Sequence, residues 1–233
     1  MTRLSDRLLL ALDLPSAEEA LLIAQKLRHH VAGFKVGLEL ITGPGPGVIG
    51  AVRELGLPVF ADAKLHDIPN TVGRAAQRLG GWGARWVSVH ASGGEEMMRA
   101  AVEGLGEGAA GNPAGVLGIT VLTSLRSETL ASIGVSGSLA RQVTRLAKLA
   151  ARSGVEGVVC APRELGDVGQ TAPQLLRVTP GIRRQDETTD DQSRVASAAE
   201  ALKWGADYLV VGRPITKSPD PVAAIAALEE DLA

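Results

Sequence analysis

The sequence predicts an α/β fold, a single-domain (β/α)8 barrel of the TIM type, from three observations. Eight short apolar runs alternate with longer amphipathic stretches, the order expected of repeated βα units around a parallel sheet. The runs are almost wholly apolar, as strands covered on both faces must be. The chain has 233 residues, and one such barrel typically takes about 250. We therefore expect residues 1–233 to form one barrel domain.

Each predicted strand is a short apolar run bounded by turn residues or by a helical pattern. In chain order the eight predicted strands cover residues 7–13, 33–39, 57–64, 84–90, 114–122, 154–161, 174–180 and 206–212.

Helix-start signals lie between these runs. Ser16 with Glu19 has the spacing of a capping box, in which each side chain bonds the other residue's backbone N–H. The segment 66–80 opens with Asp67 as a possible N-cap and Pro69 in the first turn. An N-cap of this kind stabilises a helix by about 1 kcal/mol.

A Rossmann sheet is the rival α/β architecture, and it requires a glycine-rich turn after an early strand. The candidate turn is GPGPG at 43–47. Pro44 and Pro46 break up this cluster, and its spacing is not GxGxxG. The barrel is therefore the favoured fold.

Composition excludes several classes of function. The 24 basic and 26 acidic residues give a net charge of -2, so no global positive field attracts nucleic acid or a membrane surface. The amino terminus lacks the apolar region and cleavage site of a secretory signal, and the lone Cys160 cannot form an internal disulfide. No apolar run approaches the roughly 20 residues of a bilayer span. We expect a soluble, cytoplasmic protein.

Charged and polar side chains recur at the carboxyl ends of the predicted strands. Barrel enzymes carry their active sites at this end, and such side chains inside buried strands need a partner or a function. They are Asp13, Lys35, Asp62, Lys64, His90 and Arg213.

Asp62 and Lys64 are the strongest pair among them. On an extended strand, residues two apart point to the same face, here into the barrel mouth. A buried structural ion pair is the alternative for these two residues alone. Adding Lys35 and Asp67 gives alternating charges that are costly to assemble for stability, which favours function. For Asp67 itself, spacing does not separate this role from that of a helix cap.

A metal site is also conceivable at Asp62, Asp67, His66 or His90, since carboxylate and imidazole bind divalent ions. Lys64 lies between the carboxylates and argues against it, because an ammonium supplies the charge that a cation otherwise would. We expect no metal and no other cofactor.

Two segments near the carboxyl terminus, 178–183 (VTPGIR) and 210–216 (VVGRPIT), each place glycine and arginine just past a strand. In barrels, the loops after strands 7 and 8 commonly bind phosphate, with glycine letting backbone N–H groups approach and arginine supplying a forked donor. The alternative is that the glycines only make turns and the arginines are solvated. The pattern favours a phosphate site.

Taken together, these segments resemble the orotidine 5′-phosphate decarboxylase family over nearly the whole chain. The D-x-K-x-x-D-I-P-N-T element is highly specific, whereas D-x-K-x-x-D alone is shared with sugar-phosphate decarboxylases and synthases of the same superfamily. The matching segments are 10–13 (LALD), 34–37 (FKVG), 60–72 (FADAKLHDIPNTV), 120–125 (TVLTSL), 178–183, 190–194 (DDQSR) and 210–216.

The resemblance implies cofactor-independent decarboxylation of orotidine 5′-phosphate to uridine 5′-phosphate, in pyrimidine synthesis. Lys64 would donate the proton, with Lys35, Asp62 and Asp67 completing the charged array. Family members are homodimers with shared active sites. The residues implied to reach the partner subunit's site are Asp67, Ile68 and Thr71.

The resemblance also implies the contacts to the rest of the substrate. Arg184 stands beside Arg183 in a loop richer in charge than in many relatives, which leaves open the arginine that faces the phosphate. The implied contacts are Asp13 and Lys35 to the ribose, Thr123, Pro180 and Gln192 to the substrate, Gly212 and Arg213 to the phosphate, and Arg183 in a loop at 181–192 over it.

Two other functions stay open at this point. One is a metal-dependent sugar-phosphate decarboxylase or synthase of the same superfamily, which shares D-x-K-x-x-D. The other is a catalytically silent barrel that binds nucleotides.

Overall fold

Eight parallel strands close into one barrel, each hydrogen-bonded to its neighbours in chain order. A computed structural model describes residues 3–183 and 194–232 of the chain. The predicted (β/α)8 barrel is confirmed, and seven of the eight strands lie wholly inside their predicted runs. The strands are β1 Leu8–Ala11, β2 Gly33–Val36, β3 Val59–Leu65, β4 Trp86–His90, β5 Gly115–Ile119, β6 Gly157–Val159, β7 Leu176–Thr179 and β8 Tyr208–Val211, with β3 extending to Leu65, one residue past its run.

The helices cover the outside of the barrel, and short 3-10 turns lie at Leu4–Asp6, Ala91–Gly93 and Pro162–Glu164. No helix of the part described has the length and apolar character needed to cross a membrane. The helices are α1 Ala17–Leu27, α2 Leu38–Thr42, α3 Gly47–Arg53, α4 Pro69–Gly81, α5 Glu95–Ala109, α6 Ser127–Ser132, α7 Leu139–Arg152, α8 Leu165–Thr171, α9 Ala198–Lys203, α10 Arg213–Thr216 and α11 Pro221–Glu230.

The two predicted helix starts have different outcomes. Ser16 is the N-cap of α1, and its hydroxyl accepts a hydrogen bond from the Glu19 N–H at 3.2 Å. The prediction of Asp67 as the N-cap of α4 is wrong, because the helix begins at Pro69 and Ile68 is its N-cap. Proline excludes the residue before it from helical backbone, which puts the boundary at Ile68 with ψ 151°. The Asp67 carboxylate instead accepts from the Ile68 N–H at 2.6 Å.

The carboxyl end of β3 departs from a regular strand. Ala61 pairs with Val87 and Leu65 pairs with Val89, so the register to β4 shifts between them. Within this irregularity Lys64 has a left-handed backbone with φ 48°, a conformation that L-residues other than glycine rarely adopt. The expectation of extended backbone through Lys64 is therefore wrong.

Glycines bring α4 and α5 into close contact. A Cβ atom added at Gly104 would lie 2.0 Å from the Gly73 carbonyl oxygen, and one at Gly108 would lie 1.9 Å from that of Gln77. Side chains at these positions would hold the helices apart. These glycines therefore set the close spacing of α4 and α5.

An apolar cluster fills the interior of the barrel. Leu9, Phe60, Trp86, Leu117 and Val178 all belong to it and are at most 4% exposed. Side chains from several strands pack in layers inside barrels of this type, so the interior is a core and not a channel. Phe60 also lines a pocket at the carboxyl ends of the strands. The apolar cluster therefore forms the bottom of this pocket.

Candidate active site

A pocket of about 640 Å³ opens at the carboxyl ends of the strands. Its lining comes from the ends of β1, β2, β3, β5, β6, β7 and β8 and the residues that follow them. Most of the residues predicted from sequence converge here, although their roles remain predictions. They are Asp13, Lys35, Asp62, Lys64, Thr123, Pro180, Arg183, Gly212 and Arg213.

Four charged side chains, Asp13, Lys35, Asp62 and Lys64, alternate in sign along one side of the pocket. We call these four side chains the lysine row. Lys35 Nζ lies 2.8 Å from Asp13 Oδ1 and 3.6 Å from Asp62 Oδ2. Lys64 Nζ lies 2.7 Å from the same Asp62 oxygen. Each charge therefore has an opposite charge as its neighbour, and Asp62 bridges the two lysines.

Burial makes the charge on Asp62 strongly dependent on this row. Asp62 and Lys35 are 7% and 8% exposed. Burial by itself raises the pKa of the Asp62 carboxyl, but the positive charges of Lys35 and Lys64 and hydrogen bonds from Lys64 and Ser88 outweigh it. The pKa of Asp62 is consequently held below its usual value, and the carboxylate is ionised at neutral pH.

Ser88 is a member of the site that sequence reasoning missed. Its hydroxyl donates to Asp62 Oδ1 at 2.8 Å and accepts from the Lys64 N–H at 2.9 Å. Ser88 is fully buried in the middle of β4. A lone hydroxyl within the apolar run WVSVH was the available signal.

His66 and His90 lie beside the row, with their ring centroids 5.4 Å apart. Burial lowers the pKa of His90, and the nearby His66 and Lys64 charges lower it further against the opposing effect of Asp62. His90 is therefore held neutral in the fold. Within residues 3–183 and 194–232, no three histidine, cysteine or acidic side chains converge as a group that could hold a metal ion.

The residues after β7 and β8 form another part of the pocket lining, and those after β8 lie beside the end of β1. Arg183 is 8% exposed and its Nη1 donates to the Ile182 carbonyl at 2.8 Å. Gly212 lies directly before α10 and Arg213 begins it. Lys217, which sequence reasoning did not select, lines the same part of the pocket. Arg183, Arg213 and Lys217 thus add positive charge to the pocket lining, while Gln192 and Arg184 lie outside the described residues.

Asp67, Ile68 and Thr71 do not reach the pocket of their own chain. All three are exposed, and the Ile68 side chain, at 66% exposure, is among the most exposed large apolar side chains described. They lie in the loop after β3 and the first turn of α4. A single chain therefore leaves the second acid of the D-x-K-x-x-D element facing outward.

A largely buried ion pair that sequence reasoning did not predict joins three loops at the barrel mouth. Arg194 pairs with Glu164, whose other carboxylate oxygen accepts from the Ala161 N–H at 2.9 Å. Arg194 Nη2 also donates to the carbonyls of Leu122 and Val121 at 2.7 and 3.2 Å. The pair links the loops after β5 and β6 to the chain that leads into α9. Its partners are about 30 or more positions apart in sequence, so local patterns do not reveal it.

The closed barrel and its charged pocket define the class of the protein, a (β/α)8-barrel enzyme with its site at the carboxyl ends of the strands. The profile of the Orotidine 5′-phosphate decarboxylase / HUMPS family matches residues 6–228. The chain belongs to this family.

Individual relatives match along nearly their full lengths. The chain is 45% identical over 229 residues to an orotidine 5′-phosphate decarboxylase of Anaeromyxobacter sp. (strain K), covering 98% of this chain and 99% of the relative. It is 47% identical over 227 residues to that of Cutibacterium acnes, covering 97% and 95%. The crystal structure of orotidine 5′-phosphate decarboxylase from Lactobacillus acidophilus is 37% identical, with a TM-score of 0.85 and 99% of both chains covered.

Proposed function

We propose that this protein decarboxylates orotidine 5′-phosphate to uridine 5′-phosphate and CO2 in pyrimidine synthesis. The single observation that carries the proposal is the row Asp13–Lys35–Asp62–Lys64 in the pocket. Relatives named for this activity match the chain at about 45% identity over nearly its whole length. The metal-dependent sugar-phosphate enzymes and the silent nucleotide-binding barrel have no such specific observation in their favour.

Lys64 is proposed as the catalytic acid. Loss of CO2 leaves an electron pair on C6 of the pyrimidine ring, with no neighbouring carbonyl able to delocalise it well. An ammonium close to C6 stabilises this developing charge and then delivers the proton that completes the product. The Lys64 side chain is 31% exposed, and its Nζ lies 2.7 Å from Asp62. The ammonium is therefore fixed by an ion pair and still accessible to a substrate, which supports this role.

Asp62 is proposed to lie next to the substrate carboxylate. Its lowered pKa keeps it ionised, so it repels the bound carboxylate, and this repulsion is relieved as neutral CO2 forms. Two unit charges about 4 Å apart interact by about 4 kcal/mol at an effective dielectric of about 20. Lys35 is positioned by Asp13 and Asp62 and is proposed, with Asp13, to bind the ribose.

The phosphate is proposed to bind to Gly212 and Arg213, beside the end of β1, with Arg183 as a further contact, and residues 184–192 of the implied loop lie outside the described residues. Arginine offers a forked pair of donors that matches phosphate oxygens. Because the phosphate lies far from C6, its binding energy can drive loop closure and water exclusion. Thr123, Pro180 and Gln192 are proposed to complete the substrate contacts.

A homodimer with shared active sites is part of the proposal. The exposure of Asp67, Ile68 and Thr71 beside the mouth of the barrel supports a surface that a second subunit covers. In such a dimer, each subunit supplies Asp67 to the lysine row of its partner. A cytoplasmic location is also proposed, because the phosphorylated substrate and product are intracellular metabolites.

The test is a spectrophotometric assay of purified protein with orotidine 5′-phosphate. Conversion to uridine 5′-phosphate changes the ultraviolet absorbance of the ring, and the rate should persist in EDTA. Turnover abolished by EDTA and restored by a divalent cation would favour the metal-dependent alternative. Binding of the nucleotide without any absorbance change would favour the silent barrel.

A further inference from the structure

Ser88 contacts two residues of the lysine row with a single hydroxyl group. Its one hydroxyl bonds both the carboxylate of Asp62, at 2.8 Å, and the backbone N–H of Lys64, at 2.9 Å. We infer that Ser88 is a positioning residue that sets the geometry between the Asp62 carboxylate and the Lys64 ammonium. This inference rests on the proposed decarboxylase function, in which these two groups face the reacting carbon.

The hydroxyl suits this position because it donates and accepts at once. Asp62 Oδ2 is engaged by Lys64 at 2.7 Å, so the bond from Ser88 fixes the orientation of the other oxygen and thereby the rotation of the whole carboxylate. Ser88 is fully buried, and removing its hydroxyl would leave a buried charged acceptor with one donor fewer.

The bond to the Lys64 N–H acts on the backbone. Lys64 has φ 48°, and left-handed backbone is unfavourable for a residue with a side chain. Such a conformation persists when surrounding contacts determine it. The register shift between β3 and β4 frees the Lys64 N–H from the regular ladder, and Ser88 of the neighbouring strand takes it up. The same hydroxyl thus fixes both the carboxylate and the direction in which the lysine leaves the backbone.

The charges around Asp62 indicate how a loss of this bond would be seen. Asp62 faces Lys35 on β2, Lys64 on its own strand and His90 on β4, with Asp13 behind Lys35. The bond from Ser88 favours the ionised carboxylate. Without it the Asp62 pKa rises, so the acid limb of the pH–rate profile moves to higher pH.

The experiment compares Ser88→Ala with the wild-type enzyme in kcat, KM and pH profile. A lost hydrogen bond to a charged group predicts a fall in kcat of about ten- to hundredfold. We expect KM to change by less than about threefold, since the ribose and phosphate contacts are untouched. The acid limb of the kcat profile should shift upward.

Ser153→Ala is the matched control. Ser153 is also buried, and its hydroxyl donates to the Leu149 carbonyl at the end of α7, away from the pocket. This variant should lose stability without a change in kcat or in the pH profile. If Ser88→Ala resembles Ser153→Ala, with lower melting temperature but unchanged kcat and acid limb, Ser88 has a structural role and the inference is overturned.

Two further variants cover the case in which Ser88→Ala does not fold. Ser88→Cys is nearly isosteric but a weaker donor, and Ser88→Thr keeps the hydroxyl. The inference requires a lower kcat in Ser88→Cys and a kcat closer to wild type in Ser88→Thr, each compared at equal folded fraction. The reverse order would overturn it. Absence of turnover in the wild-type protein would instead refute the proposed function.

Discussion

The ammonium of Lys64 lies 2.7 Å from Oδ2 of Asp62, two residues earlier on β3, although the Lys64 backbone has φ 48°. Regular extended backbone would place both side chains on one face by alternation alone. Here an irregular strand end brings them together, and bonds from the neighbouring strand hold the arrangement. The closeness of these two groups is the basis of the first prediction.

Lys64→Ala should abolish detectable decarboxylation, a loss on the order of 10⁴-fold or more, because it removes the group proposed to be both the cation near C6 and the proton source. Substrate binding should suffer less than turnover. Steady-state kinetics and circular dichroism check this, with Lys148→Ala on the exposed face of α7 as the control. Near wild-type activity in folded Lys64→Ala would make Lys64 a structural partner of Asp62.

Arg213→Ala should mainly weaken use of the phosphorylated substrate. The proposed forked, charge-assisted contact to phosphate would be lost while the lysine row stays intact, so kcat/KM for orotidine 5′-phosphate should fall by about 10²-fold. Turnover of the dephosphorylated nucleoside, already poor, should change little. An equal proportional loss on both substrates would assign Arg213 to the scaffold of the row.

Asp67→Asn tests the shared site. Asparagine keeps an oxygen for the Ile68 N–H, so the melting temperature should barely move, whereas removal of the charge should lower activity heavily. Lys64→Ala and Asp67→Asn subunits should each be inactive alone. In the proposed dimer, mixing them should give a hybrid in which one site carries both defects and the other carries none.

Activity in the mixture should return to at most half the wild-type level per hybrid dimer. Subunit exchange is verified separately, for example with differently tagged chains and native mass spectrometry. No recovery despite exchange would refute the shared site and leave Asp67 with a role within its own chain.

Gly104→Ala should destabilise the fold through the contact between α4 and α5. The new Cβ would lie 2.0 Å from the Gly73 carbonyl oxygen, and overpacking of this kind costs about 1–3 kcal/mol. Gly106→Ala on the same helix is the control, since nothing lies within 4 Å of its added Cβ. It should be neutral or more stable by up to about 1 kcal/mol. Urea unfolding measures the free energy of unfolding of both variants, and equal values for the two would contradict the prediction.

His90 should make stability fall as the solution is acidified. Its pKa in the fold is lowered from 6.5, so the unfolded chain takes up the proton first. The contribution of neutral His90 is fully present above pH 6.5 and is lost as pH falls toward the folded pKa. His90→Gln should therefore lose less stability than the wild type between about pH 7.5 and about pH 5.5. Equal slopes of unfolding free energy against pH would contradict this prediction.

Much of the fold could be predicted from sequence because it depends on local patterns. Apolar runs of strand length separated by helical segments predicted all eight strands, and the closed barrel follows from their number and order. The N-cap at Ser16 was likewise readable, since a capping box involves residues three apart. The boundary of α4 was missed because the steric effect of Pro69 on Ile68 outweighed the capping preference of Asp67.

The candidate site divides in the same way. The residue types and spacing of Asp62 and Lys64 marked the site, and glycine with arginine after β7 and β8 marked the predicted phosphate-binding part of the pocket. Ser88 was not predicted because its hydrogen-bond partners lie 24 and 26 positions away in sequence. A hydroxyl within an apolar run does not by itself indicate which groups it bonds. Arg194 and Glu164 were missed for the same reason.

The sequence by itself determined the barrel, the charged residues at its mouth and the family, because these are carried by local periodicity and by short motifs. Only the tertiary structure decided the order Asp13–Lys35–Asp62–Lys64, the left-handed backbone at Lys64 and the outward position of Asp67. The order of the row and the backbone at Lys64 depend on the register between neighbouring strands, and the position of Asp67 depends on the path of the loop after β3. That register is fixed by packing and hydrogen bonds between residues far apart in the chain.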